Sequence, residues 1–304
     1  MAPERRAGMD HPHYAWSPLP VRDRLTWPDG ARVAVAVIVN LEHMEWQPPE
    51  GSYQSPHLYT HLALQRPLPE LWSLSHREYG HRIGAFRLLD ALAASGLQPT
   101  VAMDALTARH YPFLVRHCVS NGLEIIAHGM SVSQMITSRM SLEEERGYIR
   151  DTLDAIAAAT GKRPPGWHGP EYGESQRTPQ LLAEAGLTYV CDWVNDEQPY
   201  RMTMPSGELF ALPLLIELDD VFALRDRRFR ADEYADQIAE AFDTIYREAS
   251  ETGKVFVLNL HPHLSGQPFR IEFLEPVFAA IGCRPGVWAA SCGAIIEWVR
   301  SHGG

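Results

Sequence analysis

The chain has 304 residues, of which 45% are hydrophobic and 21% charged, a globular composition with enough apolar material for a sizeable core. A formal net charge of −11 argues against a nucleic-acid or anionic-membrane surface. No stretch of about 18 apolar residues is present, so no membrane span is expected.

In chain order, residues 1–26 are rich in Pro, His, Asp and Arg, lack periodicity and read as an extended arm. After the turn Pro28-Asp-Gly30, Ala34-Val-Ala-Val-Ile-Val39 is a continuous apolar run, a strand from about Arg32 to Asn40 buried on both faces. It stops in Asn40, Glu42, His43, Glu45 and Trp46. The segment from Glu42 to about His76 carries Pro48, Pro49, Pro56, Pro67 and Pro69 with Trp46, Tyr53, Tyr59 and Trp72, and reads as a long binding or subunit-contacting loop. Ala85 to Gly96 is an amphipathic helix with a glycine at its end. Pro99 to Asp104 is a strand, Tyr111 to Asn121 a helix, and Leu123 to Ala127 a strand ending at His128-Gly129. Ser141-Leu-Glu-Glu is a capping-box start for a helix to Thr160. Further strands are expected around Arg163–Glu171, at Thr188–Cys191, Leu209–Ile216, Val255–Leu260 and Val287–Ala290. Helices are expected at Thr178–Ala185, Ala231–Ser250, Phe273–Ile281 and Ser291–Ser301.

Strand and helix alternate about seven times with no internal linker, which predicts a parallel barrel or a doubly wound sheet in one domain, the count favouring a barrel. No glycine-rich dinucleotide or phosphate-loop motif follows a strand. Cys118, Cys191, Cys283 and Cys292 match no metal or redox spacing. With no apolar segment behind Met1–Gly8, reduced thiols and a cytoplasmic protein are expected.

The strand ends carry the chemistry: Asn40 and Glu42, His128, His168 and Glu171, Asp192 and Trp193, Glu217 and Asp219, His261 and His263. In a barrel these ends face one mouth. A carboxylate there can deprotonate water, a histidine can protonate a leaving amine, and either can bind a metal. No Gly-x-Ser-x-Gly elbow is present, so covalent serine catalysis is the weaker alternative.

Several of these pieces read together resemble the polysaccharide deacetylase (NodB-homology) superfamily: Trp27-Pro-Asp-Gly-Ala-Arg-Val33, Asn40-Leu-Glu42, Glu78-Tyr-Gly80, His128-Gly129, Ser141–Arg146, Gly161-Lys-Arg-Pro-Pro-Gly-Trp167, Asp192 and, most specifically, His261-Pro-His-Leu-Ser-Gly-Gln-Pro-Phe-Arg270. Within it they look like the branch of cofactor-independent allantoinases and intracellular peptidoglycan-deacetylase-like proteins. The resemblance implies a distorted (β/α)7–8 barrel as a single domain, 27–304, behind the arm.

Metal-dependent members of that superfamily place a base aspartate and a metal-binding aspartate after the first strand, and a His-x-x-x-His after a later one. On that pattern Asn40 stands at the base position, Glu42 at the metal aspartate and His128 at the first metal histidine. Val132, four residues on, cannot ligate. A catalytic zinc takes three protein ligands, so the resemblance implies no cofactor. A single divalent ion such as zinc would rest on Glu42 and His128, with Glu171, His168 or His43 to complete the set.

By the same resemblance His261 is the general acid and Asp192 the carboxylate that orients a histidine. His168 replaces an arginine of the family pattern. Glu42 becomes a general base or a substrate anchor, its pKa raised by Trp46 and Trp167. The catalytic set expected is Glu42, His128, Asp192 and His261. Asn40, Trp46, Trp167, His168, Glu171, Trp193, His263 and Arg270 are expected around the substrate, Arg270 as a clamp or as a structural ion-pair partner. The activity implied is hydrolysis of a non-peptide carbon–nitrogen bond in a small cyclic amide, ureide, imide or N-acyl compound. A metal-dependent deacetylase of a soluble saccharide and an inactive ligand-binding relative are the alternatives. A homodimer or homotetramer is implied, with no nucleic-acid or membrane partner.

Overall fold

Nine consecutive buried positions leave Val33–Leu41 (β1) only one place, the middle of the sheet. In the computed structural model, which describes residues 10–53, 55, 58 and 69–302, both edges of β1 are paired. Lys254–Leu260 (β8) runs parallel along one edge, from Val33 to Val39. Pro99–Met103 (β2) takes the other edge from Val37 to Leu41. Val287–Ala289 (β9) pairs with Val33–Val35, the stretch that β2 leaves free.

Beyond β2 the sheet continues through Glu124–Ala127 (β3), Gly166–Trp167 (β4), Tyr189–Val190 (β5), Phe210–Ala211 (β7) and Tyr200–Arg201 (β6). Every pairing is parallel except β6 with β7. The sheet curls, and single backbone hydrogen bonds bridge the gap towards β8: Leu215 N–H to the Val257 carbonyl at 3.3 Å and Val255 N–H to the Glu197 carbonyl at 2.8 Å. The result is a distorted barrel that closes by isolated bonds.

Helices Leu71–Tyr79 (α1), Ala85–Ala94 (α2), Ala105–His110 (α3), Pro112–Ser120 (α4), Leu142–Thr160 (α5), Thr178–Glu184 (α6), Ala231–Glu248 (α7), Pro268–Gly282 (α8) and Cys292–His302 (α9) complete the fold. Because side chains alternate along a strand, β1 divides its residues between two cores. Val33, Val35, Val37, Val39 and Leu41 pack with Leu88, Leu92, Leu153 and Phe278 of the helices. Ala34, Ala36 and Ile38 face the barrel interior with Ile126, Tyr189, Val255 and Val257.

The long segment read as a loop holds α1, whose first turn is capped by the Glu70 carboxylate accepting from Trp72 and Ser73 N–H. Its prolines end at Pro69, which leaves the residues after it free to form a helix that buries Ser73, Leu74 and Arg77. Pro56, Tyr59 and Pro67 of that segment lie outside the described residues. The short α3 and the antiparallel β6 were also unexpected, and the strand expected over Leu209–Ile216 pairs only at Phe210–Ala211 before a turn at Ile216–Leu218.

Between α1 and α2 one π-turn, Gly80–Gly84, keeps the chain helical while widening it. Its glycines meet the loop after β8. A Cβ on Gly80 would stand 2.9 Å from the His263 backbone nitrogen, and one on Gly84 would collide with the Pro262 carbonyl. Helix α1 is thereby held against the His261–His263 turn.

Candidate active site

The two-residue alternation that builds the barrel interior also selects the site. Continuing the inward face of β1 past Ile38 brings Asn40 and then Glu42 to the top of the barrel. On β8 it brings Asn259 and His261, beyond Val255 and Val257; on β3 it brings His128, beyond Ile126. All five are buried. Glu42 is the hub. Its Oε1 lies 3.2 Å from His128 Nε2 and 3.8 Å from His261 Nε2, and its Oε2 accepts from Arg77 Nη1, delivered by α1.

Each histidine has its far nitrogen committed. His261 Nδ1–H donates to Asp220 Oδ1 at 2.6 Å, while Asp220 Oδ2 accepts from the His261 backbone N–H and the Ser265 hydroxyl. His128 Nδ1–H donates to the His168 carbonyl. A carbonyl can only accept, so Nε2 is the acceptor nitrogen of neutral His128. His168 Nδ1–H in turn donates to Asp192 Oδ1 at 2.9 Å, which also takes Gly169 N–H.

These surroundings drive the two histidines apart. Burial alone would lower the His261 pKa, but the Asp220 and Glu42 carboxylates outweigh it and raise it to about 9. Burial lowers His128, and the Glu42 contact only partly opposes this. At neutral pH one ring is an imidazolium with Nε2–H facing Glu42, and the other is a neutral acceptor facing the same oxygen. Burial pushes Glu42 up, yet the Arg77 guanidinium and the His261 imidazolium hold it well below the usual carboxylate range. The expected rise therefore does not occur. Trp46 is 58% exposed and Trp167 fully buried, and the charge that tunes Glu42 is the guanidinium of Arg77.

Other expected residues are dispersed. Trp167 lies on the outward parity of β4, packs against Tyr148 in the helix-facing core and is closed to a substrate. Trp193 packs with His13 and Tyr14 of the N-terminal segment. Arg270 Nη1 donates to the Leu264 carbonyl at 3.2 Å, bracing the loop after β8. His263 is buried and edge-on to His76; burial, Arg77 and His261 hold its pKa well below normal. Glu171 is half-buried in a left-handed backbone conformation and accepts from Ser55.

Asn40 Nδ2 donates to Asn259 Oδ1 at 2.7 Å and to the Leu260 carbonyl at 3.2 Å, so its buried Oδ1 is left without a donor. Asn259 is itself oriented by Asp219, at 2.7 Å. Asp220 and Arg77, two of the groups that set the proton balance, escaped the sequence reading. Asp220 stands in an acidic run whose inward member the sequence does not mark, and Arg77 falls just past the segment read as a loop.

The donors do not fit the three-ligand metal of the family pattern. Val132 is buried in an apolar cluster with Met44, Leu58 and Leu74. His43 turns away to Tyr111, at 3.2 Å, and the Arg77 guanidinium already holds Glu42. Among the described residues three donors converge only at Asp219, Asp220 and His261. There both carboxylates are already saturated by N–H and O–H donors. A surface groove of about 800 Å³ around Arg82, Phe86, Arg87 and Glu275 lies elsewhere and gathers no shared-proton cluster. Chemistry, not volume, locates the site.

Comparison with known proteins agrees with the fold. Residues 79–190 match the family profile described as Polysaccharide deacetylase, a span that includes His128 but neither Glu42 nor His261. The chain superposes on a probable polysaccharide deacetylase from Pseudomonas aeruginosa PAO1 with a TM-score of 0.81 and 25% identity, covering 92% of this chain and 95% of that one. PuuE allantoinase gives a TM-score of 0.80, also at 25% identity with 92% and 95% coverage. No curated protein matches by sequence.

Proposed function

Because the chain carries a polysaccharide deacetylase domain and resembles the allantoinase-like branch of the NodB-homology superfamily, we propose that it hydrolyses a non-peptide carbon–nitrogen bond. The substrate class is a small cyclic amide, ureide, imide or N-acyl compound, and the chemistry is acid–base catalysis without a metal. One observation carries this reading: two buried histidines face a single carboxylate, and their surroundings shift their pKa values in opposite directions. Groups whose surroundings push their pKa values apart divide into acid and base.

Water beside His128 Nε2 and Glu42 Oε1 gives up a proton to this acceptor pair as its oxygen adds to the substrate carbonyl carbon. The C=O π pair moves onto oxygen. On collapse the C=O bond re-forms, the C–N bond breaks, and His261 Nε2–H transfers its proton to the departing nitrogen. Asp220 keeps His261 protonated and aimed, while Asp192 and the His168 carbonyl fix the ring of His128. Asn40 Oδ1, the buried acceptor lacking a donor, suits an N–H of the substrate.

Hydrolysis of allantoin, hydantoins, cyclic imides and N-acetyl sugars by chelator-treated protein tests the reading. Turnover of a cyclic amide or ureide, lost in His261→Ala with the fold retained, supports it. Stoichiometric tightly bound zinc required for sugar deacetylation would overturn it in favour of a metal-dependent saccharide deacetylase.

A further inference from the structure

Next to His168 three buried carboxylate oxygens have no hydrogen-bond donor among the described residues: both oxygens of Glu174 and Oδ2 of Asp192. The Glu174 carboxyl lies in hydrogen-bonding contact with the Asp192 carboxylate and beside Trp193, whose buried Nε1–H has no other acceptor. The turn leading to Glu174 is folded tightly onto Asp192. A Cβ on Gly169 would stand 2.9 Å from the Gly173 carbonyl and 3.1 Å from Asp192 Oδ2, so the glycine lets the turn close. Two carboxylates are both acceptors. Their contact is a hydrogen bond only if one of them carries a proton.

Donor counting says which one. Asp192 Oδ1 already accepts His168 Nδ1–H at 2.9 Å and Gly169 N–H at 2.8 Å, bonds that favour the charged form, while Glu174 accepts none of that kind. The other charged group facing Glu174 is Glu145 on α5, which is occupied by Ser175, Arg177 and Thr178 and adds only negative charge. The nearby Tyr200 hydroxyl donates to Asn195. Burial and the Asp192 charge accordingly raise Glu174 well above the usual carboxylate range.

We propose that Glu174 is a positioning residue, a protonated carboxyl at neutral pH whose O–H donates to Asp192 Oδ2. It completes a chain of three: Glu174 holds Asp192, Asp192 holds the ring and the following N–H of His168, and the His168 carbonyl holds His128 Nδ1–H. The kinetic consequence deepens the hydrolase reading and rests on it; the shared proton does not. Glu174 touches no substrate and keeps its proton throughout. Without its O–H, Asp192 Oδ2 is a buried acceptor with no donor, a costly state that the carboxylate escapes by turning. His168 and the carbonyl that fixes the neutral base then turn with it.

Infrared difference spectra of wild type minus Glu174→Gln at pH 7 read the proton without any turnover. A buried carboxylic-acid C=O band present only in the wild type is expected; a difference confined to carboxylate bands overturns the inference. With substrate, Glu174→Gln, whose amide N–H still reaches Asp192, should keep the wild-type kcat. Glu174→Met, which has no donor, should lose on the order of tenfold or more in kcat with KM little changed, the scale for removing an outer partner of a functional histidine. A folded Glu174→Met protein with unchanged kcat, or a Glu174→Gln protein as slow as Glu174→Met, overturns the positioning role. If Glu174→Met does not fold, the infrared comparison and the kcat of Glu174→Gln decide. An acid band that depends on Glu174 in a protein inert on every substrate would refute the hydrolase reading and leave the shared proton standing.

Discussion

Replacing Asp220 by Asn probes the acid directly. Asp220 is the largest influence raising the His261 pKa from 6.5 to about 9 against the opposing effect of burial. That displacement corresponds to roughly 3 kcal/mol of preference for the imidazolium, at about 1.4 kcal/mol per pH unit. Asn is nearly isosteric but uncharged, and its amide would set N–H groups against the His261 backbone N–H and the Ser265 hydroxyl now bonded to Oδ2. With burial then dominant, the ring should be neutral at pH 7. A positioned acid contributes on the order of 10²–10⁴ in rate, so kcat at pH 7 should fall by that order and recover in part towards acid pH. Proton NMR titration of the histidine Cε1–H signals, assigned by His261→Gln, reads the pKa independently of turnover. An Asp220→Asn protein in which His261 still titrates near 9, or whose rate at pH 7 is unchanged, would refute the reasoning.

Glu42→Gln should abolish turnover and also lower stability by roughly 3–5 kcal/mol in urea unfolding, because Arg77 becomes a buried charge without its partner; full activity would remove Glu42 from the mechanism. Gly84→Ala should cost roughly 1–3 kcal/mol, since its Cβ meets the backbone carbonyl of Pro262, which cannot rotate away; a melting temperature equal to wild type would show that the helix can shift freely. For His261, folded pKa above unfolded, the stabilisation is fully present below about pH 6.5 and is lost as pH rises through about 9. The melting temperature should therefore decline across that window in the wild type and stay flatter in Asp220→Asn.

The fold was legible where burial is two-sided and caps are explicit. β1 reads directly from its apolar run, and α5 from the Ser141–Glu144 box, which forms as written. Site convergence was legible as well, because period-two alternation places Asn40, Glu42, His128 and His261 on one inward face. What escaped has a common cause. Arg77 acts through α1, a helix hidden in a proline-rich segment and seated by contacts to Val132 and the His261–His263 turn that are remote in sequence. Asp220 follows a short turn after β7, where neither period two nor period 3.6 says which carboxylate of Glu217, Asp219 and Asp220 points inward. Trp167 was misplaced by the same rule in reverse: it sits on the outward parity of β4, under α5.

The dependence of kcat/KM on pH for chelator-treated protein tests the central claim most directly. An acid in His261 and a base in His128 with Glu42 predict metal-free activity that is level through neutrality and falls above about pH 9 as His261 loses its proton. Activity that returns only with added zinc, or that persists undiminished well above pH 9, would contradict it.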